Sequence, residues 1–273
     1  GHITADSREV KAGSLFICLT GAHVNGHDYV NKAVEAGAVA ILASEPIEVS
    51  DTVTVLTVKD TRIAMQQCVP FFYDYPGCKM RMIGVTGTNG KTTTTHIIGH
   101  ILRAQEYKVG IIGTVHVMIG DKTYPIHNTT PDVVDLQHIL SQMVAEGVTH
   151  CIMEVSSHAL ALNRVAGVEY DTAVFTNLTQ DHLDFHKTFE NYLAAKCKLF
   201  EQVSAPNQHK KNKGAVINID DPYGERVMAK NSAPLITYGT KGKGTLEGEN
   251  LTITAKTSAY DIVYEGKDYP IHM

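Results

Sequence analysis

Residues 82–95, MIGVTGTNGKTTTT, decide the fold. An apolar run through Met82, Ile83 and Val85 gives way to a glycine-rich turn. Lys91 and four threonines then open a helical pattern carried by Ile97, Ile98, Ile101 and Leu102. The order is strand, phosphate loop, helix. Glycines at 84, 87 and 90 let the backbone curl so that its N–H groups and the helix N-terminus converge on one anion. Lys91 adds a point charge for the outer phosphates, and the Thr92 hydroxyl a magnesium ligand. Val85 stands where the commonest form of this loop has its first glycine, so the motif is a variant: Gly87, Thr88, Asn89, Gly90, Lys91, Thr92, Thr93. The plainer alternative, an ordinary glycine-rich turn with a solvated lysine, is weakened by the strand and helix patterns on either side.

Working outward, 273 residues allow about two domains with proper cores. A hydrophobic share of 43% with 19% charged residues describes a globular chain. The net charge of −5 and the lack of a basic stripe argue against a nucleic-acid partner. Cys18, Cys68, Cys78, Cys151 and Cys197 never form C-x-x-C, so neither a disulfide framework nor a zinc motif is indicated and a reducing cytoplasm is expected. No apolar run approaches the roughly 18 residues of a membrane span.

The fold class expected is α/β in two domains. Residues 1–77 read as a small α/β domain: a strand at 14–19, a turn-rich loop at 21–28, a helix capped by Asp28 and stopped by Gly37, strands at 38–42 and 52–58, and a helix capped by Asp60 that Pro70 should kink or end. Residues 73–79 read as a linker. Residues 78–273 alternate strand with helix, which favours a mainly parallel sheet flanked by helices. Its strands are expected at 109–112, 150–155, 172–176 and 215–219, with a hairpin about Gly120-Asp121 and further short strands beyond. Pro131 suits the first turn of a helix that Gly147 closes, and 189–203 has helical periodicity.

A phosphate loop needs a metal with a second protein ligand. Glu154 ends an apolar strand, at the sheet edge where ligands bind, but read alone it is equally a helix cap. Ser156, Ser157 and His158 lack the G-x-S-x-G elbow of a serine hydrolase. Asp181, His182, Asp184 and His186 fall within six residues, either a polar loop with capping aspartates or a second metal site. His96 and His100 have no third ligand and read as structural. Lys196 lies in a surface-looking helical sequence, and composition alone favours a solvated lysine.

Taken together, GTNGKTT, NTTPD, EVSSHALALNRV and NLTQDHLDFHKTFENYLAAK resemble the Mur ligases, and within them the MurE branch that extends the peptidoglycan stem peptide. The opening DSREVKAGSLFICLTGAHVNGHDY is similar to the nucleotide-sugar-binding domain of that branch. The resemblance implies an ATP-dependent ligase. It would add meso-diaminopimelate or L-lysine to UDP-N-acetylmuramoyl-L-alanyl-D-glutamate through an acyl phosphate, as a monomer in the bacterial cytoplasm. By motif, residues 87–93 would bind ATP. Thr92, Glu154, His182 and a carbamylated Lys196, the carbon-dioxide adduct of the lysine, would hold Mg2+. Ser7, Ala22, His23, Val24, Asn128, Thr129, Thr130, Ser156 and Arg164 would hold the UDP-muramoyl dipeptide.

The resemblance also implies departures. The first domain is expected to be clipped before the DSR motif, the central domain to stop before its last strand and helix, and the third domain, which holds the incoming amino acid, to be missing. Such a fragment is expected not to ligate unaided. The other readings are a generic phosphate-loop kinase or NTPase, a non-catalytic UDP-sugar- and ATP-binding module, and a related ligase acting on folate or another muramoyl precursor.

Overall fold

The computed structural model describes every residue except Ala22, His23, His127, Asn207 and Gln208. The positions of Ala22 and His23, expected in the substrate loop, therefore lie outside the described residues. The chain divides into two compact units. The first comprises Gly1–Pro76 and, beyond the contiguous span expected from sequence, Pro131–Ser141 and Arg164–Gly167. The second comprises Gly77–Thr130, Gln142–Asn163 and Val168–Met273.

In the first unit, β1 (His2–Thr4), β2 (Ser14–Ile17), β3 (Ala38–Ala43) and β4 (Thr54–Thr57) form a parallel sheet in that order. Successive side chains alternate between its faces. Phe16 and Ile41 join Val30 and Ala33 of α1 (Val30–Glu35) in one cluster, whereas Ile17 and Leu42 join Met65 and Val69 of α2 (Thr61–Phe72) in the other. Two expectations about helix ends are corrected. Asn25, not Asp28, caps the 3-10 turn leading into α1, because its side chain accepts from the His27 N–H. Pro70 does not end α2, which runs two residues further; its ring forfeits only the one bond that its own N–H would have made.

The second unit begins with β5 (Arg81–Thr86), α3 (Lys91–Ala104), β6 (Val109–Ile112) and the hairpin β7 (Val117–Ile119) to β8 (Lys122–Tyr124). Next in the chain is α4 (Val133–Ala145), whose residues up to Ser141 belong to the first unit, and then β9 (His150–Glu154), α5 (Ser157–Ala161), β10 (Thr172–Phe175), α6 (Leu183–His186) and α7 (Phe189–Ser204) of the second. The chain closes with β11 (Gly214–Asn218), α8 (Gly224–Met228), β12 (Leu235–Gly239), β13 (Leu246–Ile253), β14 (Ser258–Tyr264) and β15 (Lys267–His272). Pro131 is not in the first turn of α4; Asp132 starts that helix, its carboxylate accepting from the Val133 N–H at 2.9 Å.

Among the described residues the strands form one sheet in the order β15-β14-β13-β12-β11-β10-β5-β9-β6-β7-β8. The stretch from β13 to β6 is parallel, and both flanks are antiparallel. Parallel strands covered on both faces read as apolar runs, hence their legibility. Val85 and Ile152 pack in one cluster with Ile98 and Leu102 of α3. A Cβ at Gly84 would stand 2.9 Å from the Tyr170 ring and 3.1 Å from Leu199 of α7, so only glycine lets that ring approach β5. No helix among the described residues is long and apolar enough to cross a membrane.

At the amino ends of the central strands, the buried Asp171 carboxylate accepts from the Met82 N–H and from Arg81 and Lys210, each at 2.8 Å. Asp171→Ala leaves the buried Lys210 ammonium without its counter-ion. The expected loss is about 3 kcal/mol, read from urea unfolding followed in the second unit.

Candidate phosphate and metal site

The loop after β5 is shaped by two glycines. A Cβ at Gly87 would stand 1.9 Å from Thr176 Oγ1, and Gly90 has φ +84, the left-handed region that favours glycine. Gly90 gives α3 no side-chain cap, which leaves the helix N-terminus to be satisfied by an anion. The loop is laced to the segment after β10. The Asn89 N–H donates to Asn177 Oδ1 and Asn177 Nδ2 donates back to Asn89 O, both at 3.0 Å. Thr176 Oγ1 donates to Asn89 O at 2.7 Å, and the Thr179 N–H to Thr88 Oγ1 at 2.9 Å.

Two lysines converge on this loop. Lys91 Nζ donates to Gly87 O at 3.0 Å and Thr88 O at 2.8 Å, while Lys196 Nζ donates to the same Gly87 O at 2.8 Å. The solvated reading of Lys196 is overturned: it is 1% exposed on the inward face of α7, its Nζ 4.5 Å from the centroid of the Tyr192 ring. Burial first, and the Lys91 charge second, push its pKa down to about 7. Burial also lowers that of Lys91, against the pull of Glu154 and Asp181.

Glu154 ends β9 beside β5, and its cap reading fails because Ser156 caps the next helix while the Glu154 carboxylate bonds to Thr92 and Thr114. Oε1 accepts from Thr92 Oγ1 and the Thr114 N–H, each at 2.9 Å, and Oε2 from Thr114 Oγ1 at 3.1 Å. Gly113 makes room, since a Cβ there would stand 2.3 Å from Oε1. Thr130 Oγ1 donates to Glu154 O at 2.9 Å and accepts from the Ser156 N–H at 3.0 Å, and Thr129 Oγ1 accepts from Thr114 at 3.1 Å. Ser156 caps α5 through the Ala159 N–H. Asn128 is exposed in the same loop.

His182 is exposed, with φ 53, and its ring lies 4.8 Å from His158 and 6.1 Å from Tyr192. His186 is buried against Ser157 Oγ at 2.9 Å, and burial lowers its pKa. In the first unit, Ser7 and Val24 line a cleft of about 520 Å³ with Arg8, Tyr29 and Lys32. Arg164 is half-buried and belongs to the first unit. His96 packs edge-on to His116, and His100 is exposed.

Two contributors escaped sequence reading. Thr114 holds both Glu154 oxygens; its signal was its place just past β6, at the carboxyl edge of the sheet. Tyr192 bridges Thr88 Oγ1, at 3.0 Å, and Lys196, and nothing in its helix sequence marks it.

The Mur ligase middle domain matches residues 85–273, and the Mur ligase family catalytic domain matches residues 1–73. The chain belongs to the Mur ligase family. Among similar Mur ligases are proteins named UDP-N-acetylmuramoyl-L-alanyl-D-glutamate--2,6-diaminopimelate ligase. That of Bacillus cereus is 47% identical over 261 residues, spanning 96% of this chain and 53% of that protein. That of Geobacillus thermodenitrificans is 49% identical over 257 residues, spanning 94% and 52%. The chain thus spans about half the length of the curated relatives it matches. A solved structure of a ligase of the same name superposes with a TM-score of 0.82 at 27% identity, over 99% of this chain and 55% of the other. MurF from Acinetobacter baumannii shares the Mur ligase fold, with a TM-score of 0.72 at 17% identity over 100% of this chain and 55% of its own.

The Lys196 amine makes stability depend on pH. Unfolded, it keeps its ordinary value of 10.5; folded, it titrates at about 7. Below both values the two states carry the proton and the folded state bears the full cost of a buried charge. Between them only the unfolded chain is protonated, so stability rises with pH. Relative to Lys196→Met, the wild type is expected to gain about 1 kcal/mol per pH unit between roughly pH 7.5 and 9.5. Urea unfolding in bicarbonate-free buffer reads this, and parallel pH profiles would refute it.

Proposed function

We propose that this chain supplies the ATP-binding and UDP-muramoyl-binding parts of a cytoplasmic bacterial ligase. The enzyme joins 2,6-diaminopimelate to UDP-N-acetylmuramoyl-L-alanyl-D-glutamate in peptidoglycan synthesis. The observation that carries the reading is Lys196: buried, with its pKa pushed down to about 7, and sharing the Gly87 carbonyl with the phosphate-loop lysine. A buried neutral amine is what carbamylation requires. The amine nitrogen adds to the carbon of carbon dioxide, its proton leaves, and an anionic carbamate stands where a neutral amine had been beside Lys91. The names of the similar ligases support diaminopimelate as the amino acid.

The donor set fits magnesium. The Thr92 hydroxyl and the buried Glu154 carboxylate are hard oxygen ligands held 2.9 Å apart. Magnesium keeps waters and substrate phosphates, so it needs few protein ligands. His182 and carbamylated Lys196 would hold a second ion. When bound, these ions supply charge neutralisation at the phosphates.

This chain's own residues do the rest. Lys91 exchanges its two loop carbonyls for phosphate oxygens, and the α3 N-terminus receives the β-phosphate. A substrate carboxylate oxygen attacks the γ-phosphorus and ADP leaves, giving an acyl phosphate. The amine of the incoming amino acid then attacks the acyl carbon, phosphate leaves and the amide forms. Thr114 and Thr130 are positioning residues that aim Glu154. Ser7, Arg8 and Lys32 line a cleft suited to an anionic nucleotide-sugar, and Asn128, Thr129, Ser156 and Arg164 serve the peptide.

Three readouts test this on the chain itself. Expected are saturable calorimetric binding of the UDP-muramoyl dipeptide, a carbon-dioxide mass adduct on Lys196 in bicarbonate that Lys196→Met lacks, and ADP release that requires the dipeptide. ADP release at the same rate without dipeptide would favour a plain NTPase, and absence of both binding and adduct would overturn the proposal.

A further inference from the structure

Three donors of different chemistry meet at the amino-terminal edge of the second unit's sheet, at the opposite strand ends from the phosphate loop. Cys78 lies in the 3-10 turn Pro76–Lys79, three residues before β5. Glu169 stands three residues before β10, and His209 five residues before β11. These strands are neighbours in the sheet, so parallel pairing brings their lead-in segments side by side. One thiol sulfur, one carboxylate oxygen and one imidazole nitrogen from the three residues all lie within 4.8 Å of one another. Among the described residues this is the one such group of three.

The geometry points to a zinc-binding site formed by Cys78, Glu169 and His209, with water or an anion as fourth ligand. Thiolate, imidazole and carboxylate together form the borderline donor set that suits Zn2+, and three protein ligands plus one exchangeable position is a common zinc arrangement. The pair on one side is already close, with His209 Nδ1 3.0 Å from Glu169 Oε1. Around a tetrahedral zinc with bonds of about 2.0–2.3 Å the ligand atoms stand roughly 3.3–3.7 Å apart, so the site closes by side-chain rotation of about an ångström. The divalent ion would neutralise a thiolate and a carboxylate together. Glu169 and His209 are a surface pair, and Cys78 is half-buried beneath them. An entry path exists too: Cys78 and His209 line a cleft of about 490 Å³ that opens to solvent beside Thr149 and Lys211.

Lys210, a buried cation beside the site, is bound to Asp171 at 2.8 Å and to the Met80 carbonyl. The donors are 91 and 40 residues apart in sequence, so no spacing motif announces them. Occupied, the site would clip together the starts of three central strands, and the stabilisation would grow with free zinc as for any ligand of the folded state. It lies outside the phosphate loop and is independent of the ligase reading.

Cobalt is the probe, because thiolate ligation gives a near-ultraviolet charge-transfer band that oxygen-lined magnesium sites do not. In the full chain after chelator treatment, one equivalent of Co2+ is expected to raise this band, and Zn2+ to displace it. Cys78→Ser should abolish the band, Cys68→Ser should leave it, and His209→Ala should weaken cobalt affinity about tenfold or more. A folded wild type without the band, or a band that persists in Cys78→Ser, overturns the site. Should Cys78→Ser fail to fold by circular dichroism, the exposed His209 decides: unchanged affinity in His209→Ala overturns the site, and the tenfold loss supports it.

Discussion

Two lysine amines share one carbonyl oxygen, that of Gly87, and much of the second unit is built to bring them there. Lys91 arrives from the first turn of α3, Lys196 from the buried face of α7, and Gly87 from the end of β5. Burial first, and the nearby Lys91 charge second, lower the pKa of Lys196. The Glu154 carboxylate, held by Thr92 and Thr114, acts against this positive charge. Lysine amines and a carboxylate thus meet around one loop.

The central strands were legible because both their faces are covered: 82–85, 109–112, 150–155 and 172–176 had to read as apolar runs whatever packed on them. Glycine punctuation gave the loop and the end of α4 for a similar reason, since Gly87, Gly90 and Gly147 adopt backbone shapes other residues avoid. Helix starts were less legible. Asn25 and Asp28 are both good caps three residues apart, and only the backbone at residue 25 shows which side chain folds back on the turn.

The site divides in the same way. A contiguous motif announces itself, so residues 87–93 could be singled out from sequence as a loop, whereas Glu154 read alone was equally a cap. Lys196 could not be judged from its own helix, because its burial depends on Tyr192 and on a carbonyl 109 positions away. Thr114 becomes visible only when β6 and β9 are paired. Resemblance to a family singled out Lys196; geometry gives the reason, through exclusion of water and the nearness of Lys91.

The lacing between the phosphate loop and residues 176–179 has one more consequence. Asn89 and Asn177 exchange hydrogen bonds, and Thr88 and Thr176 add more, so the segment after β10 holds the loop in shape. The conformational entropy of ordering the loop is thus met once, when the second unit folds, rather than at each encounter with a nucleotide. Binding then resembles the filling of a rigid mould. The rearrangement a phosphate would ask for is local: Lys91 gives up two carbonyls to grip it.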